Sequence, residues 1–401
     1  MTDQEILVDR SPGETRAAIL SQGRLEEVLL ERAAEPSLLG AIVLAPVTAV
    51  RRELAAVFLD LGDEDGYLDR FSGPLPNQGQ RVLVEVTAEA HGAKAARVTT
   101  DISLHGVFMT LLPTRPGHAV ARAITAKGER RRLRAVLSRT LPEDVGALVH
   151  ANGSECETVA LEADAGALME RWSRVRDRMK DDTSSVGSRV LEHAPDLLIQ
   201  ARRLAPNAIV LEGRDGVLFR DREVDAEIAL ATERRVDLAG GAALVIDETE
   251  ALVAIDVDIA RATNNNPTAL ANEVAVQIAR QTRLRRLAGL ILIDFPRGGL
   301  GNVRRALVTA LEGSLASNLD QPTIHGWTRG GLLELTRPRR RRSLREIMRT
   351  GDRAAPFSPT TQGLDALRRV LRESSGIPNP RLICPNQVKL ALQGPLRKAL
   401  K

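Results

Sequence analysis

Aromatic side chains are scarce in this chain of 401 residues, which has six Phe, two Trp and one Tyr. Apolar residues make up 43% of the total and are mainly aliphatic, so a globular core is expected. Because aromatic residues are so few, an aromatic residue on a polar face is more informative about function than usual. The two cysteines, Cys156 and Cys384, lie far apart and form no CxxC pair. This arrangement argues against a disulfide framework and against a cysteine-rich zinc site.

Long apolar runs are also lacking. No stretch approaches the ~20 apolar residues that a membrane-spanning helix needs. The start, MTDQEILVDR, is acidic and has no apolar secretory run. These absences predict a cytoplasmic protein without a membrane span.

Lysine is the scarce cation. Of 56 basic residues six are Lys, so arginine dominates a chain with a net charge of +4 and a pI of about 9.4. Arginine suits forked contacts with phosphate. A GC-rich genome produces the same bias, so composition leaves nucleic acid as one candidate partner.

Short strand patterns dominate the first hundred residues. Residues 1–37 contain a hairpin pattern with a turn near Gln22 and Gly23. Five short strand patterns follow within residues 38–105. Five strands in that length are typical of a small Greek-key barrel such as an OB-fold. The next region, 106–187, mixes strands with one helical pattern.

The strongest pattern lies between residues 243 and 295. Two apolar strands, AALVIDETE and ALVAIDVD, precede a helix that begins at Pro267 with Asn266 as its cap. The strand GLILIDF follows that helix. This order is a β-α-β unit, whose crossover is right-handed and whose two outer strands are parallel.

Acidic residues end both of those strands. Asp256 and Asp258 share one face of the first strand, and Asp294 ends the second. If the strands are neighbours, their carboxyl ends lie roughly 5 Å apart, at the edge where open α/β sheets bind ligands. Clustered carboxylates there suit Mg²⁺, which also bridges to phosphate oxygens. The alternative is structural, with these acids capping loops or pairing with Arg261 and Arg297.

Several long motifs carry a family resemblance. The chain resembles the ribonuclease E/G family over residues 38–113 and 233–345. The motifs that carry this resemblance follow one another in the family's order: VLVEVTAEAHGAKAARVTTDISLHGVFMTLLP, DETEALVAIDVDIARAT, NEVAVQIARQTRLRRLAGLILIDF and TRGGLLELTRPR. The resemblance implies an endoribonuclease that cuts single-stranded, AU-rich RNA and depends on Mg²⁺, with Mn²⁺ as the alternative ion.

The resemblance also implies a multi-domain α/β fold, in which an S1 (OB-fold) β-barrel is inserted in an RNase H-like domain and a DNase I-like α/β catalytic domain follows. The expected domains are a reduced, discontinuous RNase H-like domain (1–37 and 188–232), the S1 domain (38–105), a 5′-sensor-like region (106–187), the catalytic domain (233–349) and a C-terminal tail (350–401).

By the same resemblance, Asp256 and Asp294 match the two metal-binding aspartates. Asp258 stands where the family usually has Asn, so an extra carboxylate would tune the catalytic site. An acid that the family places shortly after Asp294 is missing, and Arg297 lies nearby instead.

Phe58, Tyr67 and Lys94 match the RNA-contacting residues of the family's S1 domain. The strand period independently places Phe58 on the polar face with Asp60. An exposed aromatic on a barrel suits base stacking. The alternative is that Phe58 and Tyr67 close the ends of the barrel.

Two family features are altered. The Arg-Thr pair that reads a 5′-monophosphate is replaced by His150 and Ala151, so little discrimination between 5′-monophosphate and 5′-hydroxyl RNA is expected. Cys384 lacks the second thiol of the family's CPxC zinc link. The sequence predicts no zinc, and a homo-oligomer without a zinc link is left open.

Seven arginines occupy the thirteen positions of RPRRRRSLREIMR, residues 337–349. Such a run is either a solvated face or a phosphate-tracking surface. We assign Arg261, Arg339 and Arg340 as candidate RNA contacts. The leading hypothesis is a nuclease that acts on single-stranded RNA, and the alternative is a non-catalytic RNA-binding paralogue.

Overall fold

A computed structural model describes residues 4–69, 74–154, 156–182, 187–263, 266–296, 304–316, 320, 322–351, 356–374, 377 and 380–400. Arg297 lies outside the described residues.

The strands are β1 Gln4–Ser11, β2 Glu14–Ser21, β3 Arg24–Arg32, β4 Ile42–Arg51, β5 Ala56–Asp60, β6 Asp65–Leu68, β7 Arg81–Ala88, β8 Ala96–Thr99, β9 Leu104–His105, β10 Met109–Leu112, β11 His118–Val120, β12 Gly146–Val149, β13 Arg189–Glu192, β14 Ile209–Arg214, β15 Arg235–Asp237, β16 Ala243–Glu248, β17 Leu252–Asp258, β18 Gly289–Asp294, β19 Thr323–Trp327 and β20 Leu333–Arg337. The helices are α1 Lys127–Thr140, α2 Thr158–Lys180, α3 Leu197–Leu204, α4 Val217–Asp221, α5 Val224–Leu230, α6 Pro267–Leu284, α7 Arg304–Leu315, α8 Leu344–Met348, α9 Pro359–Glu373 and α10 Asn386–Gln393. Within the described ranges, no helix is long and apolar enough to cross a membrane.

The chain divides into two compact units. One comprises Met1–Pro36 and Asn207–Lys401, and the other comprises Ser37–Pro206. Residues 188–206, which we expected to join the first hairpin, belong instead to the second unit, since β13 pairs with β4 there.

The first unit opens with the predicted hairpin, which is confirmed. β2 and β3 are antiparallel, and Gln22 and Gly23 between them both have positive φ, 51° and 75°. Two consecutive residues of positive φ match the twist of a tight hairpin. β1, which the sequence pattern missed, pairs with β2 and, in parallel, with β14. The resulting sheet has the order β14-β1-β2-β3.

The region expected to be a C-terminal tail, residues 350–401, contains the two helices α9 and α10. Helices α9 and α10 pack their leucines together around Leu364 and Leu392. The guanidinium of Arg368 also donates to Glu14 of β2, at 2.7 Å. Glu14 is buried and accepts a second bond, from Arg32 at 2.8 Å. The carboxyl-terminal helices are therefore bound to the first sheet by a buried ion network.

The second sheet of this unit has the order β15-β16-β17-β18-β20-β19. The predicted β-α-β unit is confirmed, because β17 and β18 are parallel neighbours connected by α6. Asn266 caps α6 by accepting from the amides of Thr268 and Ala269. The apolar side of α6 packs on one face of the sheet, where Val253, Ile255 and Ile291 are buried.

In the unit Ser37–Pro206, the five predicted strands close into a barrel. The strand order β4-β5-β6-β8-β7 returns to its start through the pairing of β7 with β4. The barrel interior is aliphatic, with Val43, Leu59 and Val84 fully buried. A five-stranded closed barrel is compatible with an OB-fold. A second sheet of order β11-β12-β10-β9 shares a core with α1 and α2.

Candidate functional site

The two predicted metal-binding aspartates are register partners. Asp256 of β17 lies directly opposite Asp294 of β18, at the carboxyl ends of the two parallel strands. Both side chains are on the sheet face that α6 does not cover, and both are exposed. Neighbouring strands lie roughly 5 Å apart, so a single cation can reach both carboxylates.

The acids around this pair bind arginines directly, and Arg234 also acts on Asp256 through its charge. Arg234 binds Asp247 through two hydrogen bonds of 2.7 Å. Arg235 binds Asp237 at 2.8 Å and reaches Asp258 at 3.4 Å. Among the residues that the structure describes, Asp256 and Asp294 have no hydrogen-bond or ion-pair partner. Their oxygen donors and charge fit a divalent cation.

The carboxylate of Asp258, unlike those of Asp256 and Asp294, is bonded to neighbouring groups. Its carboxylate accepts from the amide of Ala260 at 3.0 Å and faces Arg235 across the sheet. The Ala260 amide and the Arg235 guanidinium hold the pKa of Asp258 below its usual value. The described His, Cys, Asp and Glu residues contain no group of three that could hold a metal ion. A tuning role for Asp258 stays a prediction.

Other parts of the chain fix the ends of these strands. Phe295, which follows Asp294, is buried and packs against Trp327 with ring centroids 5.7 Å apart. The guanidinium of Arg304 lies 4.4 Å above the Trp327 ring. After β17, the loop carbonyl of Arg261 passes so close to Gly241 that a Cβ there would lie 2.1 Å from it. The Arg261 side chain is exposed near Asp258.

The arginine run contributes mainly internal contacts. Arg340 pairs with Asp320 at 2.9 Å, and Arg339 pairs with Glu346 at 3.5 Å. Arg337 is buried and also bonds to Asp320, at 3.1 Å. Phosphate contacts by Arg339 and Arg340 would compete with these carboxylates. An RNA-binding role for them stays a prediction.

The predicted aromatic residues lie together on the barrel. Phe58 of β5 and Tyr67 of β6 are register partners, and their ring centroids are 5.6 Å apart. Both rings are partly exposed. Lys94 is exposed in the turn that precedes β8, where its backbone bonds to that of His91.

Sequence reasoning missed three residues beside these sites. Arg234 and Asp247 form the forked pair next to Asp256, and Arg97 of β8 is the register partner of Tyr67. Arg97 alternates with buried Ala96 and Val98 in the strand pattern, which could have placed it on the outer face of the barrel. The Arg234–Asp247 pair had no comparable signal, because Arg234 precedes β15 and Asp247 lies on β16, 13 residues further along the chain.

His150, expected at the altered 5′-sensor position, and His105 both lie within hydrogen-bond distance of the same hydroxyl group. The Thr110 Oγ1 lies 2.7 Å from Nε2 of His150 and 2.9 Å from Nδ1 of His105. Burial, aided by the charge of Arg203, lowers the pKa of His150 despite opposing contributions from Val107 and Asp164. A neutral imidazole is a weak phosphate ligand. Ala151 beside it is exposed and has no polar group.

An outward-facing aromatic pair on a barrel suits the stacking of single-stranded nucleic acid, and two carboxylates at a sheet edge suit a divalent cation. The family model described as the Ribonuclease E/G family matches residues 103–209 and 205–340. The chain belongs to this family, and the resemblance in its motifs is confirmed.

Curated relatives agree with that assignment. Ribonuclease G of Escherichia coli strain K12 is 29% identical over 86% of this chain and 81% of its own length. Ribonuclease E of Haemophilus influenzae is 27% identical over 96% of this chain, and ribonuclease E of E. coli K12 is 29% identical over 83%. The aligned regions span 48% and 36% of those two longer proteins.

Proposed function

We propose that this protein is a Mg²⁺-dependent endoribonuclease that cleaves single-stranded RNA in the cytoplasm. The observation that carries the proposal is the register pairing of Asp256 with Asp294, two exposed carboxylates that form no hydrogen bond or ion pair among the described residues. The assignment of the chain to a ribonuclease family supports the choice of RNA as the substrate.

Asp256 and Asp294 would hold the cation. Bound there, a divalent cation supplies Lewis-acid activation of water and neutralises the charge that develops on the phosphodiester. Asp258 adds negative charge two residues along the strand, while Arg235 limits its approach to the pair. The forked pair of Arg234 and Asp247 restrains the strand beside Asp256.

The barrel would retain the RNA strand. Phe58 and Tyr67 present two rings on which bases stack, a contact worth ~1–3 kcal/mol per base. Lys94 provides a nearby positive charge for the RNA backbone. In this proposal the barrel is the S1 domain, the sheet β14-β1-β2-β3 belongs to the RNase H-like domain, and the sheet around β17 and β18 is the DNase I-like catalytic domain.

A second candidate function is RNA binding without efficient cleavage. The ion pair between Asp258 and Arg235 and the neutral sensor favour it, since both depart from the family pattern. In this candidate function the aromatic pair still binds RNA. Asp256 and Asp294 are then expected to contribute little to RNA binding.

One assay separates the two functions. A fluorescent AU-rich oligonucleotide is incubated with the protein in Mg²⁺ or in EDTA, and the wild type is compared with Asp294→Asn. We expect cleavage in Mg²⁺, none in EDTA, and a loss of more than about 100-fold in the variant, as for removal of one transition-state-stabilising group. Asp221→Asn, an exposed acid paired with Arg220, is the control and should cleave normally. Tight binding with no cleavage by the wild type would favour the second candidate.

A further inference from the structure

Three side chains form a row across the outside of the barrel. Phe58, Tyr67 and Arg97 are successive register partners on β5, β6 and β8. Register partners share a face of the sheet, so the Arg97 side chain lies on the same outer face of the barrel as the aromatic pair. The row therefore ends in a cation next to two surfaces for base stacking.

Arg97 is available for a ligand. It is exposed, and within the described ranges its side chain has no hydrogen-bond or ion-pair partner. The strand on which it lies is held on both sides, by β6 and by β7. A guanidinium fixed to a paired strand is better placed than Lys94, which lies in an exposed turn. Planar guanidinium groups bind phosphate through two parallel hydrogen bonds.

A shallow groove continues from Arg97 on the same part of the barrel. It is lined by Arg97, Thr87, Thr99, Asp69 and Asp101 among others. The two threonines offer hydroxyl groups, and the two aspartates offer carboxylate acceptors. Asp101 faces Arg115 at 3.6 Å with its side chain about half exposed, so it keeps acceptor capacity. The groove can thus receive a group that donates hydrogen bonds.

We propose that this groove binds one further nucleotide beyond the base stacked on Tyr67, with its phosphate on Arg97 and its base against Asp69 and Asp101. Carboxylates accept from exocyclic amino groups, as Asp and Glu do from the cytosine N4 amino group. The groove then favours cytosine over uracil at this position. The inference rests on the proposed binding of single-stranded RNA by the barrel.

The first test measures the phosphate contact. Binding of fluorescent ten-nucleotide RNAs, oligocytidine and oligouridine, is followed by fluorescence anisotropy in EDTA at several salt concentrations. Arg97→Gln should bind oligocytidine about tenfold more weakly. Its slope of log affinity against log salt should fall by about 0.7, the value for one phosphate contact with a single strand. Arg97→Lys should recover the slope, and Arg134→Gln, an exposed arginine of α1, should behave as the wild type. Unchanged affinity and slope in Arg97→Gln would refute the contact.

The second test measures the base preference. The wild type should bind oligocytidine several-fold more tightly than oligouridine, and the double variant Asp69→Asn/Asp101→Asn should lose the difference. Equal affinity of the wild type for the two RNAs would refute the groove assignment. Because these measurements need no catalysis, a protein that binds as described but does not cleave would contradict the proposed nuclease activity alone. A protein that cleaves normally but binds independently of Arg97 would contradict this inference alone.

Discussion

Arg368 of α9 donates a hydrogen bond of 2.7 Å to Glu14 of β2, and both side chains are almost completely buried. Burial by itself would raise the pKa of Glu14, but the charges of Arg368, Arg32 and Arg16 outweigh it, and the pKa is lowered. The pair joins the last part of the chain to its first sheet. Breaking the pair therefore tests whether residues 350–401 contribute to the stability of the fold.

Replacing Arg368 by Met should destabilise the protein by about 1.5–3 kcal/mol, because it removes a buried hydrogen bond to a charged group while Arg32 still pairs with Glu14. Urea unfolding measures the change. Arg369→Met is the matched control, since Arg369 lies on the same helix but is 61% exposed and should change stability by well under 1 kcal/mol. Equal stability of the two variants would mean that the network is not formed.

The lowered pKa of His150 makes a prediction about acid stability. An unfolded histidine titrates near ~6.5, and the folded state binds that proton less readily. The neutral form thus stabilises the fold above pH ~6.5, and this contribution is lost as the pH falls through the folded value. His150→Asn should lose less thermal stability between pH 7.5 and 5.5 than the wild type. Calorimetry showing identical pH profiles would contradict this assignment.

The same neutral imidazole predicts weak reading of the RNA 5′ end. We expect cleavage rates for 5′-monophosphate and 5′-hydroxyl substrates within about twofold of each other at pH 7.5, because His150 and Ala151 stand where the resemblance implies the phosphate-reading Arg-Thr pair. The double variant His150→Arg/Ala151→Thr should raise the preference for the monophosphate. A wild-type protein with a large monophosphate preference would show that another group binds the phosphate.

The aromatic pair predicts the effect of removing one ring. Phe58→Leu should weaken binding of single-stranded RNA by about 5- to 150-fold, which corresponds to the ~1–3 kcal/mol of one stacked base. Phe58→Trp keeps a stacking surface and should restore most of the affinity. If Leu and Trp at this position gave the same affinity for RNA, the ring would contribute to packing of the barrel and not to RNA binding.

The pairing of Asp258 with Arg235 predicts that removing the Asp258 charge has a limited effect on the Mg²⁺ dependence of cleavage. Asp258→Asn should change the Mg²⁺ concentration for half-maximal cleavage by no more than about 10- to 100-fold, the range of residues that act through a ligand rather than as one. Asp256→Asn should abolish the Mg²⁺ response. A complete loss in Asp258→Asn would instead make Asp258 a direct ligand.

Local sequence was sufficient where neighbours along the chain decide the structure. The turn at Gln22 and Gly23, the cap at Asn266 and the strands of the barrel follow from short-range patterns, because backbone freedom and alternation of burial are properties of a few adjacent residues. The β-α-β order likewise brings Asp256 and Asp294 together, because such a crossover makes its strands parallel.

Contacts between residues far apart along the chain had no such signal. The Arg97 register with Tyr67, the forked pair of Arg234 and Asp247, and the bond from Arg368 to Glu14 each depend on which elements become neighbours. The sequence alone determined which residues face outward and which carry charge. Only the tertiary structure decided which of those charges are neutralised, because an ion pair depends on the distance in space between side chains and not on their separation along the chain.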